Sequence, residues 1–163
     1  MMYKTLFAAG LASLISFGAA AAGYDVELAR SYAKLFEPAT GAKVGKALHC
    51  MMPDKMVKQL QSGKQIVPLD VRTPNEFGMF SMTLPNSMRI PVNEVFLQKN
   101  LDRIPRDKMV VVVCKSGARA MAVTTALRHL GFNNVYLLKG GMMALAKHLG
   151  PKQANPPVKV SAR

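Results

Sequence analysis

The chain has 163 residues, half of them hydrophobic, with 22 Lys+Arg against 9 Asp+Glu, a formal net charge of +13 and two cysteines. That is enough apolar material for one ordinary core, and no fixed-period repeat points to a solenoid or array. The positive field favours small anionic substrates or lipid headgroups, whereas scattered basic residues and an aromatic content of 7% argue against nucleic acid as a partner.

Residues 1–22 read as a secretory signal peptide. Lys4 supplies the positive start, Leu6 to Gly18 the apolar run, and Ala20-Ala21-Ala22 a small-residue cleavage site. The run is shorter than the ~20 residues a membrane span needs. Cleavage between Ala22 and Gly23 predicts a periplasmic or secreted protein with no stable membrane span. Residues 23–46 form an N-terminal extension. Val26, Leu28, Ala29, Tyr32, Ala33 and Phe36 recur at near-helical spacing and stop before Pro38, which predicts a helix packed on the domain.

The domain proper is expected over residues 47–149. A short strand around Leu48–Met51 leads to a helix from Pro53 to Gln61 that Gly63 ends, and Ile66 to Leu69 reads as an apolar strand. In "TPNEF", Thr73 is a cap, Pro74 takes the first helical position and Glu76 reaches back, which is a helix start. "SMRIPV" is a short strand and "VNEVFLQKNLDRI" a short helix. Met109 to Val113 is a continuous β-branched run, as in a strand covered on both faces. The following helix places Val123, Ala126, Leu127 and Leu130 on one face, with Gly131 as its stop. "NVYLLKGG" is a last strand and "MMALAKHL" a last helix; residues 150–163 form a basic, Pro-rich, loosely attached tail.

Alternating strands and helices predict an α/β fold, with a mostly parallel sheet flanked by helices in three layers. Ligands in such folds bind beyond the carboxyl ends of the strands. Two segments with chemistry lie at such ends, "LDVR" and "CKSGAR".

Cys114 is the first residue past the valine strand, and Lys115, Ser116, Gly117 and Ala118 must turn the chain before a helix begins near Arg119. Such a turn aims successive backbone N–H groups at one point, and the helix N-terminus adds partial positive charge. Lys115 and Arg119 add full charges. A cysteine held there favours its thiolate and so serves as a nucleophile. Gly117 permits the backbone conformation that a tight nest needs.

Cys-x-x-Gly-x-Arg after an apolar strand, with "LDVRTPNEF" upstream, resembles the rhodanese (sulfurtransferase) domain, of the single-domain exported type. Gly140-Gly141 is similar to that family's late glycine pair, and "MTLPNSMRIPV" to its middle segment; the resemblance covers about Ala47 to Leu149. It implies a rhodanese-like fold. It implies that Cys114 carries sulfur, that Lys115, Ser116, Gly117, Ala118 and Arg119 form the substrate-binding loop, and that Asp70 and Arg72 brace the domain near the site. The implied activity is a thiosulfate sulfurtransferase without metal or organic cofactor. A small anionic donor (thiosulfate or a persulfide) loads Cys114, and a thiol, cyanide or a partner protein takes the sulfur. The alternative is a persulfide carrier or binding module with little turnover on small molecules. Related phosphatases use one more residue between Cys and Arg; the shorter loop here suits sulfur. The family's usual Gly-His is Met82-Thr83, its next Gly-Ala is Asn86-Ser87, and methionines replace the aromatic after the glycine pair.

Other residues have plainer readings. Cys50 is expected to be a small buried apolar residue, with a Cys50–Cys114 disulfide or a resolving or regulatory role as the alternatives. The methionines of "HCMM" and "MFSM" are soft copper ligands in principle but fit core filling better. His129 and His148 read as surface residues, Glu76 as a cap, and Ser116 as a loop donor.

Overall fold

The computed structural model describes residues 23–150. In chain order its elements are helix α1 (Val26–Phe36), a 3-10 turn (Gly41–Lys43), α2 (Val44–Ala47), strand β1 (Cys50–Met51), α3 (Pro53–Gln61), β2 (Ile66–Asp70), α4 (Pro74–Met79), β3 (Met88–Arg89), α5 (Gln98–Leu101), β4 (Met109–Val113), α6 (Ala118–His129), β5 (Val135–Leu138) and α7 (Gly141–His148). The predicted signal segment and the tail beyond Gly150 lie outside the described residues.

The strands form one sheet in the order β1-β5-β4-β2-β3, and every pairing is parallel. Central β4 explains its own sequence. Val110, Val111, Val112 and Val113 are all fully buried. Because alternate residues of a strand face opposite sides, Val110 and Val112 enter one cluster with Leu69, Leu137 and the Ala120, Val123 and Leu127 face of α6. Val111 and Val113 enter the other, with Met56, Val57 and Leu60 of α3 and Met142 and Leu145 of α7. A strand covered on both faces has no polar side to show, and each fully buried aliphatic side chain contributes on the order of 1.5–3 kcal/mol.

The helices begin and end for local reasons. Pro53 opens α3, and Gly63 follows its end at φ +83°. At α4 the capping box is present: Thr73 Oγ1 accepts from Glu76 N, and Thr73 N donates to Glu76 Oε2 at 2.9 Å. Gly117, in the left-handed region, precedes α6, and Gly131 follows its end.

Several expectations need correction. The buried face of α6 is Ala120, Val123, Thr124 and Leu127; Ala126 is half-buried and Leu130 exposed, because Leu130 is already the cap where the helix turns away. The helix expected from Val92 shrinks to α5. Glu94 N and Leu97 N bond three residues back, as in successive turns, and the buried Asn100 side chain donates to Glu94 O at 2.8 Å, where Leu97 N also donates. His129 is not a bare surface residue: its ring stacks on Tyr32 with centroids 4.1 Å apart, and its Nε2 lies 2.7 Å from Ser31 Oγ. That contact docks α1 on α6, yet no residue of α1 is buried.

Cys50 is half-buried beside the α6-side cluster, and both cysteines are free. Strand β5 lies between β1 and β4, so the two cysteines stand about two inter-strand spacings apart, ~10 Å. A disulfide requires Cα atoms within about 7 Å.

Candidate active site

Parallel pairing of β2 with β4 puts Asp70 beside Val113. "LDVR" and "CKSGAR" therefore meet at the carboxyl edge of the sheet, and Val71 N donates to Val113 O across the join. Cys114, 1% exposed, stands at this edge. Its Sγ accepts from Gly117 N at 3.1 Å and Ala120 N at 3.4 Å, so the chain curls around the sulfur and presents backbone donors to it. Among the described residues, the N–H groups of Ser116, Ala118 and Arg119 have no hydrogen-bond partner.

Gly117 (φ +102°) needs its glycine for conformation and for space, since a Cβ there would stand 3.2 Å from Gly140 N. Lys115, Ser116 and Ala118 are exposed, and Arg119 is half-buried. The loop is braced from behind by α7: Met142 N donates to Cys114 O at 2.8 Å and Met143 N to Lys115 O at 3.1 Å. Gly140 and Gly141 are both in the left-handed region, and the backbone of Gly141 approaches those two carbonyls so closely that no side chain fits.

Arg119 is not a free cation. Its Nη1 and Nη2 each donate to a Glu76 oxygen at 2.7 Å, a two-pronged pair between α6 and α4. Glu76 is thus shared between this pair and the α4 cap. Those bonds, the Arg119 pair first, hold its carboxyl far below the usual carboxylate range, and the same pair raises Arg119, with Cys114 adding to the effect. The reading of Glu76 as a cap alone missed this partner. Forty-three residues separate Glu76 and Arg119, and only the fold brings them together.

Asp70 and Arg72 are both buried, at 1% and 4% exposure. Asp70 accepts from Arg72 N, Nε and Nη2. Arg72 also donates to Phe80 O at 2.7 Å and Glu76 O at 3.4 Å, closing the end of α4. The pair therefore anchors the helix that carries Glu76. Beside the loop lies a cleft of 340 Å³, lined by Arg72, Glu76, Met79, Phe80, Lys115, Met142, Met143 and Ala146. Met79, Phe80 and Met143 are exposed on its lip.

Residues 52–148 match the family model described as the rhodanese-like domain. The chain belongs to the rhodanese-like family. A sulfurtransferase of Allochromatium vinosum is 28% identical over 95 residues, which cover 58% of this chain and 85% of that protein. Thiosulfate sulfurtransferase 16 of Arabidopsis thaliana is 34% identical over 94 residues, covering 53% of this chain and 78% of that one. MoeZ of Mycobacterium tuberculosis, a probable adenylyltransferase/sulfurtransferase, is 29% identical over 99 residues, 61% of this chain; the match spans only 25% of that protein. The crystal structure of a rhodanese-like domain protein from Staphylococcus aureus superposes with a TM-score of 0.51 at 26% identity, covering 59% of this chain and 89% of that one.

Within this rhodanese-like domain the sequence departures have physical places. Met82 replaces a glycine and is buried in the α3–α7 cluster. Asn86, at the position of the family's next usual glycine, has a left-handed backbone at φ +61°, a conformation asparagine tolerates. Met142 replaces the aromatic after the glycine pair and is buried, while Met143 beside it stays on the cleft lip. Of the four methionines in "HCMM" and "MFSM", Met51 and Met82 are core, but Met52 and Met79 are exposed, so core filling accounts for only two of them. No group of three or more His, Cys, Asp or Glu side chains suited to a metal occurs among the described residues, and no helix there is long and apolar enough to cross a membrane.

Proposed function

We propose that this rhodanese-family chain is a sulfurtransferase that carries sulfane sulfur as a persulfide on Cys114. The setting of the thiol carries the reading. Cys114 Sγ already accepts two backbone N–H groups, and further unpaired loop N–H groups stand beside it. A thiolate is the form that accepts such bonds best. In the proposed cycle it attacks the outer sulfur of thiosulfate. The S–S bond of the donor breaks, sulfite leaves with the electron pair, and a persulfide anion remains in the loop. An acceptor thiolate or cyanide then attacks that outer sulfur and releases the Cys114 thiolate. Lys115 meets the incoming dianion. Arg119, held by Glu76, sets the wall of the loop instead of moving onto the substrate.

A second reading, a carrier that delivers sulfur to a partner protein, is favoured by the exposed apolar lip of Met79, Phe80 and Met143. Export, with residues 1–22 removed, belongs to the same proposal.

Intact mass tests it. The protein treated with thiosulfate gains one sulfur, cyanide removes that sulfur, and Cys114→Ser gains none. A gain that cyanide leaves in place, or an equal gain in Cys114→Ser, overturns the assignment. Thiocyanate turnover then separates enzyme from carrier, and a mature mass starting at Gly23 tests the export step.

A further inference from the structure

A second concave site lies where the α1–α2 connection meets the end of α6. It is a cleft of 440 Å³ lined by Pro38, Lys43, Lys46, Ala47, His49 and Arg128, and it shares no lining residue with the cleft beside Cys114. Four of its six lining residues are bases and none is an acid. None of the four enters an ion pair among the described residues.

Arg128 is the group that most needs a partner. Its Nη1 donates to Ala47 O at 2.8 Å, but its Nε is buried and has no acceptor. Buried donors without partners are rare in folded proteins. Burial also disfavours its charged form, and no carboxylate offsets that. His49 is fixed beside it. The ring stacks on Tyr136 with centroids 4.5 Å apart, and Nδ1 lies 2.9 Å from Val135 O. Burial lowers its pKa too, with Arg128 as a further cause. Two half-buried bases sit together, and Lys43 and Lys46 stand exposed at the rim. An anion in the cleft would meet positive charge or N–H donors from all four.

The shape narrows the anion. The volume is in the range of sites for small organic ligands and exceeds what a bare oxyanion fills, and Pro38 and Ala47 give it an apolar side. A concave pocket suits a soluble molecule better than a flat membrane surface. A guanidinium offers the planar fork that matches phosphate oxygens. We propose that this cleft binds the phosphate of a soluble phosphomonoester, with Arg128, His49, Lys43 and Lys46 around the phosphate and the organic body against Pro38 and Ala47. The site is independent of sulfur transfer at Cys114.

The test is a titration of the ¹⁵N-labelled protein with phenyl phosphate, inorganic phosphate and benzyl alcohol, followed through its backbone amide signals. Phenyl phosphate should move amides from Lys43 to Cys50 and around Arg128 saturably. Inorganic phosphate should move the same amides more weakly, and benzyl alcohol should leave them in place. The Lys43→Ala/Lys46→Ala double variant should weaken phenyl phosphate by about tenfold or more while persulfide formation on Cys114 stays at the wild-type rate. Arg128→Gln should abolish the shifts. Because Arg128 also holds Ala47, the exposed lysine pair provides the variant that leaves the fold intact. Shifts confined to residues 114–120, no saturable shift, equal response to benzyl alcohol, or full affinity in the lysine double variant would each overturn the proposal.

Discussion

Gly141→Ala probes how the cysteine loop is held. A Cβ built on Gly141 would stand 2.7 Å from Lys115 O and 2.8 Å from the Lys115 carbonyl carbon, and nearer still to Cys114 O. All three are backbone atoms, so no side chain can swing aside. The residue is also at φ +58°. The left-handed backbone costs an L-residue roughly 1–2 kcal/mol, and forcing a carbon into packed space adds about 1–3 kcal/mol. Gly131→Ala is the control: φ is +87°, but nothing lies within 4 Å of its Cβ, so only the conformational part applies. Thermal unfolding should place Gly141→Ala on the order of 10 °C below wild type, with Gly131→Ala between the two. Persulfide formation, followed by intact mass against time, should slow by about 10²-fold in Gly141→Ala, as a displacement near 1 Å would give, and stay at the wild-type rate in Gly131→Ala. Equal melting losses in the two variants, with sulfur loading unchanged in Gly141→Ala, would refute the view that the glycine pair sets the loop.

Other perturbations reach the same framework. Glu76→Gln replaces the carboxylate that Arg119 and Thr73 share and should lower stability by about 1–2 kcal/mol, since the pair is partly solvated; urea unfolding measures it. Because Glu76 is held well below its ordinary value of 4.5, its contribution is complete above that pH and fades only as pH falls toward its folded value, so the variant should show a shallower stability loss in acid. Asp70→Asn leaves Arg72 buried without its counter-charge and should cost about 3–5 kcal/mol in the same assay. His49 has a pKa lowered from 6.5 by burial, so the unfolded chain takes up the proton first and stability falls as pH drops below that value. His49→Asn, which keeps a residue tolerant of φ +54°, should flatten the dependence between pH 7.5 and 5.5.

The valine strand and the helix Pro53–Gln61 were legible because their signals are local: β-branched continuity in one, a proline start and a glycine stop in the other. The thiol was legible for the same reason, since strand, cysteine, glycine and arginine stand within ten residues. Long-range contacts left no such trace. The second role of Glu76 depends on α4 and α6 meeting across the sheet edge. His129 found its partners in Tyr32 and Ser31 on a helix at the other end of the chain. The segment before α5 closes into tight turns tied by the buried Asn100 side chain to Glu94 O. No periodicity reports that choice.

A trans peptide points its oxygen and its hydrogen in opposite directions. The first amides of α7 capture the oxygens of Cys114 and Lys115, so the hydrogens of those two peptide units, on Lys115 and Ser116, must face away from α7. Release of either oxygen would let its plane rotate and exchange a donor for an acceptor in the loop around the sulfur. The helix thus acts as a ratchet against peptide flips. It fixes the electrical polarity of the sulfur pocket from the rear through backbone amides, with its basic residues, Lys147 and His148, at its far end.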